Sequence, residues 1–387
     1  MSDPADSIGL LQRLIACPSV TPHSAGALDL LDTVLTGLGF AVTRLSFAGD
    51  GSYEVENLFA TRGSGAPHLL FAGHTDVVPP GDESAWSHPP FSGAQVDGVI
   101  HGRGAVDMKS GIAAFVAALA QAPNDLPGTI SLAITNDEEA DGINGTDKIL
   151  TWAKAQGHVF DFAVVGEPSA TAQVGDSIKI GRRGSLSGVV TVKGVQGHVA
   201  YPEKACNPLP VLAALAVALS DTQIDAGNGH FPASNLEVTS IDVGNGTGNL
   251  IPAEGRLRFN IRFNDGWTPE TLERWVAERI AAVPARGTTI AYQRLGRPSP
   301  SFLSPLGGGV QLMVRTIEAM TGQTPQLSTG GGTSDARFIA RDCPVVECGL
   351  PGPTMHKVNE QVPVADVVAL TALYRAFITA YCTGATD

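Results

Sequence analysis

The stretch His68-Leu69-Leu70-Phe71-Ala72-Gly73-His74-Thr75-Asp76 decides the reading of the fold. It runs apolar from Leu69 and then stops abruptly in polar residues. The pattern returns at Thr129–Thr135, which ends in Asn136-Asp137-Glu138-Glu139, at Asp161–Val165, which ends in Gly166-Glu167-Pro168, and at Cys343–Cys348. Helical patterns accompany them, at Lys109–Ala120 after a glycine-rich loop and at Ala365–Cys382 near the end. Near-continuous apolar strands separated by helices predict an α/β domain, a mainly parallel sheet with helices on both faces. Ligand sites in such sheets gather beyond the carboxyl ends of the strands, and the polar clusters fall there.

The middle of the chain reads differently. Leu186–Gly194 is a predicted strand, Pro208–Leu219 a helix and Asn235–Val243 a strand. Arg256–Phe263 alternates strictly, Leu257, Phe259, Ile261 and Phe263 against Arg256, Arg258, Asn260 and Arg262, as a strand with one polar face does. Pro269–Val283 follows as a helix with Thr268 as its N-cap, and Thr288–Leu295 is a last strand. The order βαββαβ is that of a ferredoxin-like unit. The expected organisation is a catalytic domain over 1–181 and 296–387, interrupted by an inserted α+β domain over 182–295. The 387 residues hold two or three domains at roughly 100–200 residues each.

Composition narrows the function. The net charge is −13, and phosphate binding needs a basic face, so nucleic acid is not the expected partner. No apolar run is read as approaching the ~18–20 residues of a membrane span; Gly111–Ala120 and Leu209–Leu219 predict buried helices. The acidic start, Met1-Ser2-Asp3-Pro4-Ala5-Asp6, lacks the basic and apolar pattern of a signal peptide, and a cytoplasmic location is expected. Five cysteines without a Cys-x-x-Cys pair argue against a disulfide framework or thiolate zinc site.

Taken singly, the polar clusters have ordinary explanations. His74 and Asp76 can be a polar strand end, Asp107 a helix cap, Asp137-Glu138-Glu139 a solvated turn, and His356 a structural loop residue. Their conjunction reads otherwise. A parallel sheet brings these positions to one edge, and so many carboxylates there repel one another unless cations sit among them. Mixed nitrogen and oxygen donors suit zinc, with cobalt or manganese as substitutes. Two divalent ions balance Asp107, Glu139, Glu167 and a shared hydroxide, while His74 and His356 add no charge. Glu138, beside a ligand but outside the set, is placed to take the proton of the attacking water. Asp76, two residues from His74, can accept its ring N–H and fix its tautomer. No Gly-x-Ser-x-Gly elbow stands beside a strand, which argues against a serine nucleophile.

At these residues the chain resembles the dinuclear-zinc aminoacylase-like peptidases and deacylases. The resemblance rests on Gly73-His74-Thr75-Asp76-Val77-Val78-Pro79, Gly102–Lys109, Asp137-Glu138-Glu139, Gly166-Glu167-Pro168, Gly181-Arg182-Arg183-Gly184-Ser185, Gly197-His198, Asn249-Leu250-Ile251-Pro252, Gly331-Gly332-Thr333-Ser334-Asp335 and Met355-His356-Lys357-Val358-Asn359-Glu360. It implies that Asp107 bridges two ions, His74 and Glu167 holding one, Glu139 and His356 the other. It implies that Asp76 orients His74, that Glu138 is the general base, and that the Asp107–Met108 peptide is cis. It further implies a homodimer built through the inserted domain, with His198 and Asn249 acting in the partner's site and His198 stabilising the oxyanion. The implied substrate is a small amide with three carboxylates, met by Arg182 and Arg262 with Ser185, Tyr201, Gly332 and Thr333. Arg256 and Arg258 read as solvated surface. Another deacylase or dipeptidase of the family is the nearest alternative. A non-catalytic, metal-stabilised binding protein is the alternative from another class.

Overall fold

The structure, a computed structural model, describes residues 3–384; Met1 and Ser2 of the acidic start lie outside the described residues. The chain falls into two compact units. The first is formed by residues up to Ile180, by Ser304–Ser328 and by Ser334 onward; the second by Gly181–Leu303 and Thr329–Thr333.

The His68–His74 strand is buried along its whole length and lies inside an eight-stranded sheet. The order is Ala41–Gly49, Ser52–Ser64, Gly128–Thr135, His68–His74, Phe162–Val165, Val345–Glu347, Ser177–Lys179, Gln326–Ser328. His68–His74 runs parallel to both neighbours, with His74 opposite Thr135 and Ala72 opposite Val165. Val345–Glu347 is parallel to Phe162–Val165 in turn. The carboxyl ends of these central strands therefore share one edge, which carries His74, Asp137-Glu138-Glu139 and Glu167.

The margins depart from the parallel expectation. Ala41–Gly49 and Ser52–Ser64 form an antiparallel hairpin whose second strand is antiparallel to Gly128–Thr135. Asp50 and Gly51 both have positive φ, 56° and 82°, which a two-residue hairpin turn requires. Val345–Glu347 also meets Ser177–Lys179 antiparallel.

Helices form two groups around this sheet. Lys109–Gln121 packs with Ser7–Ile15 and Val364–Cys382, and the last also meets Gly308–Thr321; Thr146–Ala155 packs with Ala336–Ile339 and with the Ser52–Ser64 and Gly128–Thr135 strands. Lys109–Gln121 is buried almost all round, as its uniform apolar sequence requires. Among the described residues, Val364–Cys382 is long and apolar enough to cross a membrane. Its Leu370, Tyr374, Phe377 and Ile378 are buried inside the protein, where Phe71 stacks on Phe115 and Tyr374 meets both rings edge-on. It is a core helix whose Asp366 and Arg375 do not interrupt its apolar face.

The second unit has a four-stranded antiparallel sheet in the order Asn235–Asp242, Glu254–Phe263, Gly184–Lys193, Thr289–Ser299. Helices Leu209–Ser220 and Pro269–Ala281 fall between the first and second and between the third and fourth strands in the chain. The alternation of Arg256–Phe263 becomes geometry: Leu257, Phe259, Ile261 and Phe263 enter the core with Val190, Val192, Leu212, Leu215, Leu272 and Val276. Thr268 caps Pro269–Ala281, its side chain accepting from the Thr271 backbone N–H. The unit continues past Leu295 because the last strand runs to Ser299 and Phe302–Leu303 pairs with Gly181–Arg182.

Candidate metal centre

At the shared edge, two groups of donors converge on one carboxylate. His74 Nε2 lies 3.1 Å from Asp107 Oδ1 and 3.4 Å from Glu167 Oε1. His356 Nε2 lies 3.1 Å from Asp107 Oδ2 and 3.0 Å from Glu139 Oε1. Asp107 thus offers one oxygen to each group. Both groups, His74–Asp107–Glu167 and Asp107–Glu139–His356, have their donor atoms within 4.8 Å of one another. Donors ~2.1 Å from a tetrahedral ion stand roughly 3.4 Å apart, so the spacing and the mixed donor set fit divalent ions of the zinc class. The His74 group is buried, whereas His356 is 43% exposed, so one side of the centre opens outward.

Local sequence explains the placement. His74 ends its strand, and Glu167 follows Phe162–Val165 by two residues, after Gly166. Asp107 precedes the Lys109–Gln121 helix, and its peptide bond to Met108 is cis. A Cβ on Gly111 would stand 2.3 Å from the Gly166 carbonyl oxygen, so glycine there lets the helix lie against the turn that presents Glu167.

Charge in the cluster is shared. Burial opposes a charge on His74, but Asp107, Asp76 and Glu167 outweigh it and hold the imidazole well above its ordinary pKa. Asp107 and Glu139 lift His356 to about 10. Asp107 is itself buried, yet His356 and His74 hold its carboxyl well below the usual range. Burial and the Asp107 charge push Glu167 up to about 7. Burial and Glu167 push Glu138 well above the usual carboxylate value. The donor set is stable only with positive charge among the acids, supplied by imidazolium protons or by cations.

Asp76 does more than the sequence suggested. The nearest partner of His74 Nδ1 is the Asp76 backbone oxygen at 2.9 Å, with the carboxylate at 3.5 Å. That carboxylate instead accepts from the backbone N–H groups of Glu138 (3.1 and 3.2 Å) and Glu139 (3.1 Å) and from Thr21 Oγ1 (2.8 Å). Two adjacent N–H groups offer a charged acceptor more than one imidazole does. Asp76 therefore fixes the turn carrying Glu138 and Glu139 and meets His74 through both its backbone oxygen and, at longer range, its carboxylate.

Sequence reading missed several supports. Asp137 is buried and accepts from Tyr53 Oη (2.7 Å) and from the N–H groups of Ile143 (2.9 Å) and Asn144 (2.8 Å), which closes the loop after Glu139. Lys109 is fully buried; its ammonium donates to the carbonyls of Leu14 and Cys17, both at 2.9 Å, and burial lowers its pKa to about 8. Glu360 holds the loop before Asp107. A triple acid such as Asp137-Glu138-Glu139 carries no sequence mark of which member faces the backbone.

The remaining candidates lie in the second unit. His198 pairs with Leu250 in a two-residue strand, and its Nδ1 accepts from the Ala200 N–H at 3.0 Å, which leaves Nε2–H as an outward donor. The Asn249 carbonyl accepts from the Val199 N–H at 3.1 Å, and Tyr201 is exposed with its ring 5.9 Å from that of His198. Arg182 donates to the Gly332 carbonyl at 3.0 Å. Arg262 stands opposite Ser185 in the sheet; burial and repulsion by Arg183 and Arg182 lower its pKa, so an anion there is stabilised. Thr333 belongs to the same unit. Arg256 pairs with Glu254 at 2.7 Å on the surface.

Imidazole and carboxylate gathered in this way at the end of a parallel sheet define a metallopeptidase-like hydrolase. The chain belongs to peptidase family M20/M25/M40, whose sequence profile matches residues 70–380. Among its curated relatives, the succinyl-diaminopimelate desuccinylase of Rhodopseudomonas palustris (strain BisA53) is 52% identical over 380 residues, covering 97% of this chain and 98% of the relative. The protein of the same name from Bradyrhizobium diazoefficiens is 52% identical over 386 residues, covering 97% and 99%. The crystal structure of human carnosine dipeptidase 1 shares the fold, with a TM-score of 0.75 at 19% identity over 98% of this chain and 96% of that one.

A pH dependence follows. His356 is raised to about 10, so its imidazole is protonated at neutral pH in the metal-free chain, and Asp107, Asp76 and Glu167 favour the protonated form of His74 in the same direction. Each divalent ion must then displace protons, and affinity falls as pH falls. Zinc titrated calorimetrically in two buffers of different ionisation heat is expected to give different heats; equal heats would refute it. In the metal-free chain the raised His356 pKa stabilises the fold fully below its ordinary value, and that contribution is lost as pH climbs through about 10.

Proposed function

We propose that the chain hydrolyses N-succinyl-LL-2,6-diaminoheptanedioate to succinate and LL-2,6-diaminoheptanedioate, in diaminopimelate and lysine biosynthesis. The observation that carries this reading is the pair of donor groups sharing Asp107 beside Glu138, in a chain whose full-length relatives bear the desuccinylase name.

Two divalent ions, zinc or in its place cobalt or manganese, would be held by His74, Asp107 and Glu167 and by Asp107, Glu139 and His356, and would there supply Lewis acidity for the amide carbonyl and acidity for water. Glu138 accepts the proton of the water whose oxygen bonds to the succinyl carbonyl carbon. As the C–N bond breaks, Glu138 returns that proton to the leaving amine. The Asp76 carboxylate keeps the Glu138 backbone fixed during both transfers. His198 donates its Nε2–H to the oxyanion from the partner subunit, and Asn249 acts in the same direction. Arg182 and Arg262, with Ser185, Tyr201, Gly332 and Thr333, bind the substrate's carboxylates, for which planar guanidinium groups are suited.

The second unit serves as a ferredoxin-like dimerisation and lid domain inserted in the catalytic one. Its chain order of strands and helices supports this, as does the open edge of Asn235–Asp242. So does the Leu209–Ser220 helix, which has no charged residue and leaves Val217 57% exposed. The enzyme works in the cytoplasm, where the precursors of lysine are made.

Succinate release from the succinyl substrate and acetate release from acetylornithine test the reading side by side. The succinyl substrate is expected to react at least ~10²-fold faster by kcat/KM, because a site built for a carboxylate rejects a ligand lacking it. Arg262→Met is expected to raise KM for the succinyl substrate by ~10–100-fold, the worth of a charged hydrogen bond, with kcat little changed. Equal rates on both substrates would replace this reading with a general deacylase.

A further inference from the structure

Glu360 is fully buried and lies four residues after His356, yet it belongs to neither donor group. Its Oε1 accepts from the backbone N–H groups of Val106 (2.8 Å) and Asp107 (3.2 Å). Its Oε2 accepts from the Gly104 N–H (3.1 Å) and from Arg103 Nη1 (2.7 Å). Its own backbone carbonyl accepts from the Gly102 N–H at 2.9 Å. The loop from Gly102 to Asp107 is thus wrapped around one carboxylate, and that carboxylate is carried on the loop that carries His356. Arg103 completes the joint by stacking over Trp86, with 5.3 Å to the ring centroid, and by reaching the Lys357 carbonyl at 3.3 Å.

The His356 loop needs such a hold. His356 and Asn359 both have positive φ, 60° and 62°, a region that non-glycine residues seldom occupy unless the surroundings impose it. By contrast, His74 and Glu167 stand at the ends of parallel strands, where the sheet already fixes them.

We propose that Glu360 is a positioning residue that presets Asp107 and His356 to grip an ion together. Three converging N–H groups and a guanidinium offset the cost of burying its charge, and the distance between the two loops is thereby set. The inference rests on the two-ion reading above. Its consequence is unequal: losing the Glu360 carboxylate loosens the Asp107–Glu139–His356 group more than the His74–Asp107–Glu167 group.

The test is a titration of metal-free protein with cobalt(II), followed by visible absorption and equilibrium dialysis, on wild type, Glu360→Gln and the double variant Arg103→Met/Glu360→Gln. The amide of Gln has one acceptor oxygen where three N–H groups meet, so it cannot replace the carboxylate. The expected result is two ions bound by wild type and, in both variants, at least ~10-fold weaker binding of one ion with a smaller change for the other. The double variant removes the stranded Arg103 charge, so its thermal stability is expected to recover while the weak ion stays weak. A role limited to ion pairing would restore both. Should Glu360→Gln fail to fold, the double variant alone decides. Two ions bound at wild-type affinity by the folded variant overturn the inference and leave the two-ion reading intact; a wild type that binds no cobalt overturns both.

Discussion

Replacing Glu138 by Gln is expected to lower succinate release by ~10²–10⁴-fold while the protein keeps its full complement of metal. The side chain lies outside both donor groups, so the substitution removes no ligand. Gln keeps the shape and loses the ability to take and return a proton. The turn stays in place because the Asp76 carboxylate holds the backbone N–H groups of Glu138 and Glu139, which the substitution does not touch. A metal-replete Glu138→Gln enzyme working near the wild-type rate would remove the base assignment. The same variant probes the proposed dimer. Mixed with His198→Ala, it is expected to recover activity in the hybrid if His198 serves the partner's site, because one composite site then has both groups. Recovery absent from a hybrid shown to form would place His198 in its own subunit's chemistry.

Asp107→Asn is expected to cost more metal than any other single change at the centre. Asp107 alone lends an oxygen to both groups, 3.1 Å from each imidazole, and the amide carries neither the charge nor the second acceptor. Affinity for both ions should fall beyond the ~10–100-fold that follows loss of an outer partner, and turnover with it. Chelation of the wild-type protein should abolish activity equally, and zinc should restore it. The chelated wild type is expected to remain folded, because His74 and His356 can take up protons and keep positive charge beside Asp107. In Asp107→Asn those imidazoles lose their main acidic partner. Dialysis against zinc followed by metal analysis reads the difference; an Asp107→Asn protein that retains two ions would show that Asp107 is not shared.

Much of the first unit was legible because burial and chemistry coincide in it. A central parallel strand must be apolar on both faces, so the point where His68–His74 or Phe162–Val165 turns polar is also where it leaves the core. The Ala41–Ser64 hairpin was not legible for the same reason: its first strand is largely exposed and has no apolar run to read. Val364–Cys382 was legible as the closing helix because its apolar residues recur along one buried face, with Asp366 and Arg375 outside the buried set. The alternation of Arg256–Phe263 was plain because one face of that sheet is covered and the other is not. Side-chain partners were the least legible. His74-x-Asp76 suggested a carboxylate–imidazole contact, but two N–H groups of the next strand's turn compete for that carboxylate. Glu360 entered the sequence reading only as the end of the His356 motif, because only the folded chain brings the N–H groups of Gly104, Val106 and Asp107 to it.

The Val345–Glu347 strand lies between Phe162–Val165 and Ser177–Lys179. On the ribosome, where domains are completed in order of synthesis, this inverts the usual sequence of events. The four long strands of the second unit are all translated before Val345–Glu347, the sixth strand of the eight-stranded sheet. Until Val345–Glu347 is made, the strands on either side of it have no partner there and the closing helix Val364–Cys382 is not yet available to cover the sheet. A nascent chain stalled in its final fifth would therefore present chaperones with a finished insertion and an unfinished host.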